Sequence, residues 1–369
     1  MRSSRRIAEL FDISSRDIGK NKLLNGSTPQ TGGEKPPQLW NWQSLLSGVF
    51  AVLLLAALAS RVDWPGAWQE IQACNKFFVL LGALCHYFTY PLRGLRWRRC
   101  MAHLPVEGSP LAFSHVVFFY NFVDNVAPAK LGDLYGAHLA RINFGVSRSE
   151  AIGSIVFQRT LDAWVLLSLT LLSSWLLLSA QLPSSVLWAL LGGMVIALGS
   201  TILMLTFFLL DKAIPRSVPE RLAVLIRAFR NGMWPAAGQM PLILGYTVAI
   251  WALELLWIYL LVYGFNIALT PAKTVFLTVV PLLASAFPFT PAGVGVVELT
   301  MFSCLRLLGV ASPLAGSITL LNRFLDYWLH IGLGILMWAC RKRLGLRTWR
   351  EAAAPQTARS SLLPMKLTR

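Results

Sequence analysis

Long apolar runs without Asp, Glu, Lys or Arg dominate the hydrophobic pattern of this chain. The longest of them, residues 163–210, contains 48 residues without a formal charge. One helical crossing of a bilayer needs about 20 apolar residues, so this run alone is long enough for two crossings. The pattern predicts an all-α polytopic membrane protein with about six full spans. We place them at about 43–60, 77–95, 151–180, 184–210, 241–263 and 311–340.

Two further apolar segments are interrupted by proline and glycine. They lie at 111–129, which runs on to Gly132, and at 272–297. Proline and glycine at this density end a helix, and irregular backbone at membrane depth is tolerated only within protein or beside a water-filled cavity. We therefore predict two re-entrant hairpins, and a pair of ordinary spans joined by a loop at each place is the alternative. The hairpin backbone residues are Pro128, Gly132, Pro288, Pro291, Gly293 and Gly295.

Composition and charge agree with a membrane protein. Of the 369 residues, 55% are apolar and only 14% are charged, whereas soluble domains are about 25% charged. The net charge of +16 does not indicate nucleic-acid binding, because the basic residues flank apolar runs and form no patch on a polar domain. These observations exclude a soluble enzyme, a disordered chain and a nucleic-acid-binding protein.

The distribution of basic residues predicts the orientation in the cell (inner) membrane. Segments on the predicted inside carry 27 Lys and Arg residues, and segments on the predicted outside carry 4. Cytoplasmic loops are enriched in Lys and Arg, so we expect both termini in the cytoplasm. The chain then divides into a disordered basic tail at 1–40, a membrane domain at 41–340 and a second basic tail at 341–369.

An internal repeat connects the two halves of the membrane domain. Residues 158–164 and 322–328 share the pattern [QN]-R-x-L-D-x-W, and a Pro-x-x-x-Gly motif about 31 residues upstream recurs at nearly the same offset. An acidic residue follows each motif, Asp133 in the first half and Glu298 in the second. The predicted topology gives the halves opposite orientations. We therefore predict an inverted-topology repeat, with repeat 1 at about 77–210 and repeat 2 at about 241–340, as in many transporters.

Each repeat places an Arg and an Asp inside a predicted span, at positions i and i+3. These pairs are Arg159 with Asp162 and Arg323 with Asp326. A charge at the bilayer centre costs at least about 2.5–3.5 kcal/mol, so such residues require a partner or a function. One interpretation is that each pair neutralises itself and fixes a helix to its hairpin. The other is that each pair faces a hydrated cavity where Arg binds an anionic group such as phosphate.

The other polar candidates are interpreted more simply. Glu298 either completes the charge balance of the second hairpin or carries a proton. The basic cluster at the cytoplasmic end of the second span fixes orientation and attracts anionic lipid headgroups. The scattered histidines are interpreted as packed or interfacial residues. The basic cluster comprises Arg93, Arg96, Arg98 and Arg99, and the histidines are His86, His115, His138 and His330.

Motifs for known catalytic chemistry are missing from the sequence. It contains no G-x-x-x-x-G-K-[ST] loop, no H-E-x-x-H and no G-x-S-x-G. The five cysteines show no C-x-x-C spacing and mostly lie in apolar segments. We therefore expect no catalytic residues, no metal and no cofactor, and we do not expect an enzyme.

The combined motifs resemble the lysylphosphatidylglycerol synthase transmembrane region, a flippase-like family, over roughly 43–340. The matching features are Arg93-Gly94-Leu95-Arg96-Trp97, Asn125-x-x-Pro128-x-x-x-Gly132-Asp133, Arg159-x-x-Asp162, Pro288-x-x-Pro291-x-Gly293-x-Gly295-x-x-Glu298 and Arg323. In fused members this region is thought to move aminoacylated phosphatidylglycerol across the membrane, and an aminoacyltransferase domain follows it. Only 29 residues follow the last predicted span here. The resemblance therefore implies a stand-alone lipid translocase.

The expected substrate is an anionic or modified phospholipid or a glycolipid, and the expected partners are membrane phospholipids. A second copy of the chain or an enzyme of lipid synthesis is a further candidate partner, and nucleic acid is not expected. The alternatives are a membrane-embedded enzyme or accessory subunit of glycolipid synthesis and a non-transporting scaffold. Residues expected along the lipid path are Arg159, Asp162, Arg323, Asp326, Glu298, Asp133, Asn125 and Arg96.

Overall fold

The computed structural model describes residues 53–57, 59–126, 132–177, 184–210, 219–285 and 293–346, and every regular element in these ranges is helical. Of the predicted tails, 1–40 and 347–369 lie outside the described residues. The first half contains α1 Trp64–Ala73, α2 Lys76–Cys100, α3 Pro110–Val126, α4 Gly132–Phe144, α5 Arg148–Leu177 and α6 Ser184–Leu210. The second half contains α7 Glu220–Met233, α8 Met240–Tyr263, α9 Pro271–Ser285, α10 Val296–Leu307, α11 Ser312–Arg323, a π-helical turn Phe324–Trp328 and α12 Leu329–Ala339.

Two helical stretches among the described residues are long and apolar enough to cross a membrane. They are Arg148–Leu172, within α5, and Leu222–Tyr263, which runs through α7 and α8. Shorter apolar helices occur at Leu191–Phe207 and Pro271–Ser285. The all-helical class agrees with the sequence analysis, whereas six full spans and an inverted repeat stay predictions.

Helix α2 connects two apolar cores that lie toward its opposite ends. Its 25 residues extend about 37 Å. Val79 and Ala83, near its start, pack in a core formed with α1, α8, α9, α10 and α11. Trp97, near its end, packs in a core with α3, α4 and the first turns of α5. The middle of α2 therefore lies between two apolar regions.

Each segment predicted as a hairpin holds one short helix, and a second short helix that begins at the end of the segment packs against it. Helix α3 packs on α4, and α9 packs on α10. These four helices have 17, 13, 15 and 12 residues, so each is shorter than the roughly 20 residues of one crossing. That shortness supports paired half-length helices over ordinary spans.

The two hairpins begin from opposite ends of the molecule. In the first, the backbone N–H of Glu107 donates to the carbonyl of Phe144 (3.3 Å), which joins its two outer ends beside the Trp97 core. In the second, the adjoining residues Leu269 and Val310 share the Val79 core. An inverted repeat would place the two hairpins in this way, and the repeat itself stays a prediction.

The proline-rich parts of the hairpins are only partly described. Pro128, Pro288 and Pro291 lie outside the described residues. The backbone N–H of Gly132, at the start of α4, donates to Oδ1 of Asp124 on α3 (3.1 Å). Gly293 and Gly295 have φ values of +68° and +84°. That conformation favours glycine, because a Cβ atom would clash there.

The predicted orientation assigns Gln69 on α1 to the outside and Ser109, before α3, to the cytoplasmic side. Both residues are exposed. In a background whose native cysteines are replaced, Gln69→Cys should react with a membrane-impermeant maleimide added to intact cells. Ser109→Cys should react only after the cells are permeabilised. Reaction of Ser109→Cys in intact cells would contradict the predicted orientation.

Candidate functional site

A cavity of about 470 Å³ lies in the middle of the molecule, between the two apolar cores. Helices α2, α3, α5, α8, α9, α10 and α11 contribute to its wall. One part of the wall is polar and the other is apolar. The polar residues include Arg93, Asn121, Asn125, Arg159, Asp162, Glu254, Asn322, Arg323 and Asp326, and the apolar residues include Leu166, Leu167, Val279, Leu282, Leu283, Val297 and Met301.

The most buried ion pair beside the cavity joins Arg96 of α2 to Asp162 of α5. The guanidinium contacts both carboxylate oxygens, with N···O distances of 2.6 and 3.0 Å. Arg96 is 3% exposed and Asp162 is 6% exposed. The indole N–H of Trp251 also donates to Asp162 (3.1 Å), and Arg96 donates to the hydroxyl of Thr247 (3.1 Å). The pair thus connects α2 and α5 to α8.

The prediction that Arg96 belongs to a surface basic cluster is wrong. Its bidentate contact with Asp162 draws it inside, and its neighbour Arg93 is also turned inward, where it contacts Glu254 (2.9 Å). Of the two interpretations of Arg159 and Asp162, the one in which they neutralise each other within one helix does not hold. Asp162 pairs across to α2, while Arg159 pairs with Asp133 at the start of α4, 2.9 Å away.

Both repeat arginines form the same type of contact. Arg159 binds Asp133 in the first turn of α4, and Arg323 binds Glu298 in the first turn of α10 (2.8 Å). In each half, the arginine therefore connects the helix that carries it to the second helix of the preceding hairpin. Glu298 also accepts a hydrogen bond from the backbone N–H of Gly295 (2.8 Å), which caps α10.

The two arginine pairs differ strongly in exposure. The side chains of Arg159 and Asp133 are 48% and 41% exposed, whereas those of Arg323 and Glu298 are 8% and 5% exposed. Arg323 also lies over the ring of Tyr327, 4.1 Å from its centre. Both arginines line the cavity, but Arg159 is the accessible one.

A third set of charges was missed in the sequence. His86 of α2 lies between two carboxylates, with Nδ1 at 3.0 Å from Glu254 and Nε2 at 3.3 Å from Asp326. Glu254 could have been recognised from the sequence, because it is the single charged residue between the uncharged runs 231–253 and 255–272. The interpretation of His86 as merely packed or interfacial is therefore corrected. His330 is buried and stacks on Phe118, with ring centres 4.2 Å apart.

Asn125, expected along the lipid path, is placed at the cavity wall at the end of α3. Its backbone carbonyl accepts a hydrogen bond from the hydroxyl of Tyr327 (3.3 Å). The structure therefore brings Asn125, Arg159, Asp162, Arg323 and Asp326 to one cavity. Asp133 and Glu298 contact that cavity through their arginine partners.

Within the described ranges, no group of three or more His, Cys, Asp or Glu side chains is arranged to hold a metal ion. The five cysteines are free thiols.

The Arg96–Asp162 pair should be the most costly of these pairs to break. Asp162→Asn leaves Arg96 buried with its counter-charge removed, and such a loss costs about 3–5 kcal/mol of stability. The double variant Arg96→Leu with Asp162→Leu should recover much of it. Apparent melting temperatures in detergent measure both effects.

Asp133→Asn is the matched control, because its partner Arg159 is half-exposed and such pairs contribute about 1 kcal/mol or less. Equal melting temperatures for Asp162→Asn and Asp133→Asn would contradict the assigned difference between the two pairs.

The family model described as "Lysylphosphatidylglycerol synthase TM region" matches residues 44–334 of this chain. A UPF0104 membrane protein of Methanocaldococcus jannaschii is 27% identical over 217 residues, which covers 58% of this chain and 92% of that protein. A UPF0104 membrane protein of Methanothermobacter thermautotrophicus is 23% identical over 320 residues, which covers 79% of this chain and 92% of that protein. Similarity thus extends over nearly the whole length of both relatives.

Proposed function

The chain belongs to the lysylphosphatidylglycerol synthase TM region family of membrane proteins, and from this premise we propose that it moves a phospholipid between the two leaflets of a membrane. The headgroup enters the polar part of the central cavity while the acyl chains stay in the apolar surroundings. The protein acts in the cell membrane with both termini in the cytoplasm. Its partners are phospholipids with a negatively charged phosphate.

The observation that carries this proposal is the half-exposed side chain of Arg159 in the cavity wall. Its side chain is 48% exposed, although it is held by Asp133 at 2.9 Å. Arginine presents a planar set of donors that matches phosphate in two-point contacts.

The apolar part of the cavity supports a lipid over a free anion. Leucines of α5 and α9, together with Val297 and Met301 of α10, form this wall. A soluble anion gains nothing from such a surface, whereas the acyl region of a lipid gains about 25 cal/mol for each Å² of apolar area removed from water. The combination of a charged and an apolar wall is the expected environment for an amphipathic ligand.

The remaining charged residues have positioning roles in this proposal. Arg96 and Asp162 fix α5 against α2, and Arg323 with Glu298 fixes the second hairpin. Similar arginine contacts on two hairpins that begin at opposite ends support alternating access by an inverted repeat. The cavity would open first toward one leaflet and then toward the other as the hairpins move.

Reconstituted protein should move fluorescent phosphatidylglycerol between leaflets faster than protein-free liposomes do, as measured by dithionite quenching. Arg159→Ala should slow this movement by roughly tenfold or more, because a hydrogen bond to a charged group contributes about 1.5–3 kcal/mol. Arg159→Lys should retain part of the rate. A fluorescent glycolipid without phosphate should be insensitive to Arg159→Ala.

Arg227→Ala is the matched control, since Arg227 is an exposed arginine of α7 that does not line the cavity. It should leave the rate unchanged. An Arg159→Ala protein that is folded and as fast as the wild type would contradict phosphate binding at this position. Wild-type protein no faster than empty liposomes would contradict translocation itself.

A further inference from the structure

We propose that Glu254, His86 and Asp326 form a proton-binding site that couples lipid movement to a proton gradient. This inference rests on the proposed translocation function. The three side chains come from α8, α2 and the π-helical turn, and all three line the central cavity. The inference assigns a second ligand, a proton, to the cavity that binds the headgroup.

The geometry around His86 favours a second proton on the imidazole, or one proton on a neighbouring carboxylate. Carboxylate oxygens lie 3.0 Å from Nδ1 and 3.3 Å from Nε2. A neutral imidazole has one N–H and one lone pair, so one carboxylate would then face a lone pair. A proton on the second ring nitrogen, or on the carboxylate, makes both contacts favourable. The added proton forms one N–H or O–H bond and breaks none within the protein.

The members of the site differ in exposure. Asp326 is 40% exposed and faces the cavity, whereas Glu254 is 14% exposed. Arg93 binds the other oxygen of Glu254 at 2.9 Å. The remaining titratable neighbours are Tyr87 and Tyr90 of α2 and His330 of α12. The hydroxyl of Tyr90 lies 2.9 Å from Nδ1 of His330.

Charge balance links the proton to the lipid. In the described part of the chain, the cavity-lining charges and their ion-pair partners comprise four arginines and five carboxylates. With His86 neutral, this set carries a formal charge of −1. A bound phosphate adds another negative charge in a region of low dielectric, which is costly. A proton at His86 offsets it, so lipid and proton should bind together and move in the same direction.

The arginine contacts support the same linkage. Glu254 competes with any bound phosphate for Arg93, because its Oε1 lies 2.9 Å from that guanidinium. Protonation of the triad weakens the hold of Glu254 on Arg93 and leaves the arginine able to attract the headgroup. By thermodynamic linkage, the bound headgroup then strengthens proton binding by the same factor.

The first test uses proteoliposomes with fluorescent phosphatidylglycerol and a pH gradient of about one unit, with the membrane potential clamped by potassium and valinomycin. If one proton moves with each lipid, the labelled lipid should at equilibrium be about tenfold more abundant in the leaflet that faces the alkaline side. His86→Gln and Asp326→Asn should give a ratio near one. Protein-free liposomes supply the background.

His115→Gln is the matched control, because His115 of α3 does not line the cavity, and it should keep the tenfold ratio. A wild-type protein that moves lipid but gives a ratio of one would overturn the coupling and leave translocation intact. A wild-type protein that moves no lipid would overturn translocation, and coupling with it.

A second measurement covers variants that bind lipid without moving it. A short-chain phosphatidylglycerol is added to protein in weakly buffered detergent, and a pH indicator reports proton uptake. The wild type should take up about one proton for each lipid bound, and His86→Gln and Asp326→Asn should take up none. Equal proton uptake by these variants would overturn the assignment to this triad.

Discussion

The buried ion pair between Arg96 and Asp162 is the interaction on which the arrangement of the cavity depends. Both side chains are removed from water, which costs several kcal/mol per ion unless the partner and further hydrogen bonds compensate. The bidentate contact, together with Trp251 and Thr247, supplies that compensation. Because the four residues belong to α2, α5 and α8, the pair fixes these helices in one relation. Four residues of the polar wall, Arg93, Arg159, Asp162 and Glu254, lie on these helices.

Arg159 and Arg323 lie in similar sequences, but their unequal exposure suits them to different roles. Arg159 and Arg323 occupy matching positions in the repeat and contact matching carboxylates. The cost of removing a charge from water rises with burial, so a buried arginine needs its carboxylate for stability. A half-exposed arginine depends on its carboxylate much less and remains able to bind a ligand. Arg159 is therefore suited to ligand binding and Arg323 to holding a hairpin.

Much of the fold could be predicted from the sequence because the responsible signals are local. Proline and glycine mark where helices end, and each interrupted segment does separate two short helices that pack against each other. The duplicated arginines and the acidic residues Asp133 and Glu298 could also be identified from spacing. Spacing within one helix, however, says nothing about distant partners. Asp162 lies three residues from Arg159 but binds Arg96, which is 66 residues away.

The same limit explains why the His86 site was missed. Its three members come from distant positions in the chain, and no short motif relates them. Glu254 alone could have been recognised, because a single carboxylate in an otherwise neutral span requires a partner. Identifying that partner required the packing of α2 against α8, which the apolar pattern of either helix does not determine.

The distribution of strong and weak contacts also indicates which parts of the molecule can move. Helices α2, α5 and α8 are joined by a buried pair that would be costly to separate. The first hairpin is joined to α5 by the Trp97 core, which includes the first turns of α5, and near the start of α4 by the half-exposed contact between Arg159 and Asp133. The half-exposed contact costs far less to break than the buried pair. A ligand that binds Arg159 competes directly with Asp133 for it. In the proposed function, headgroup binding would therefore loosen the first hairpin near the start of α4, while the Trp97 core keeps the outer part of the hairpin packed on α5 and the α2–α5–α8 unit keeps its shape.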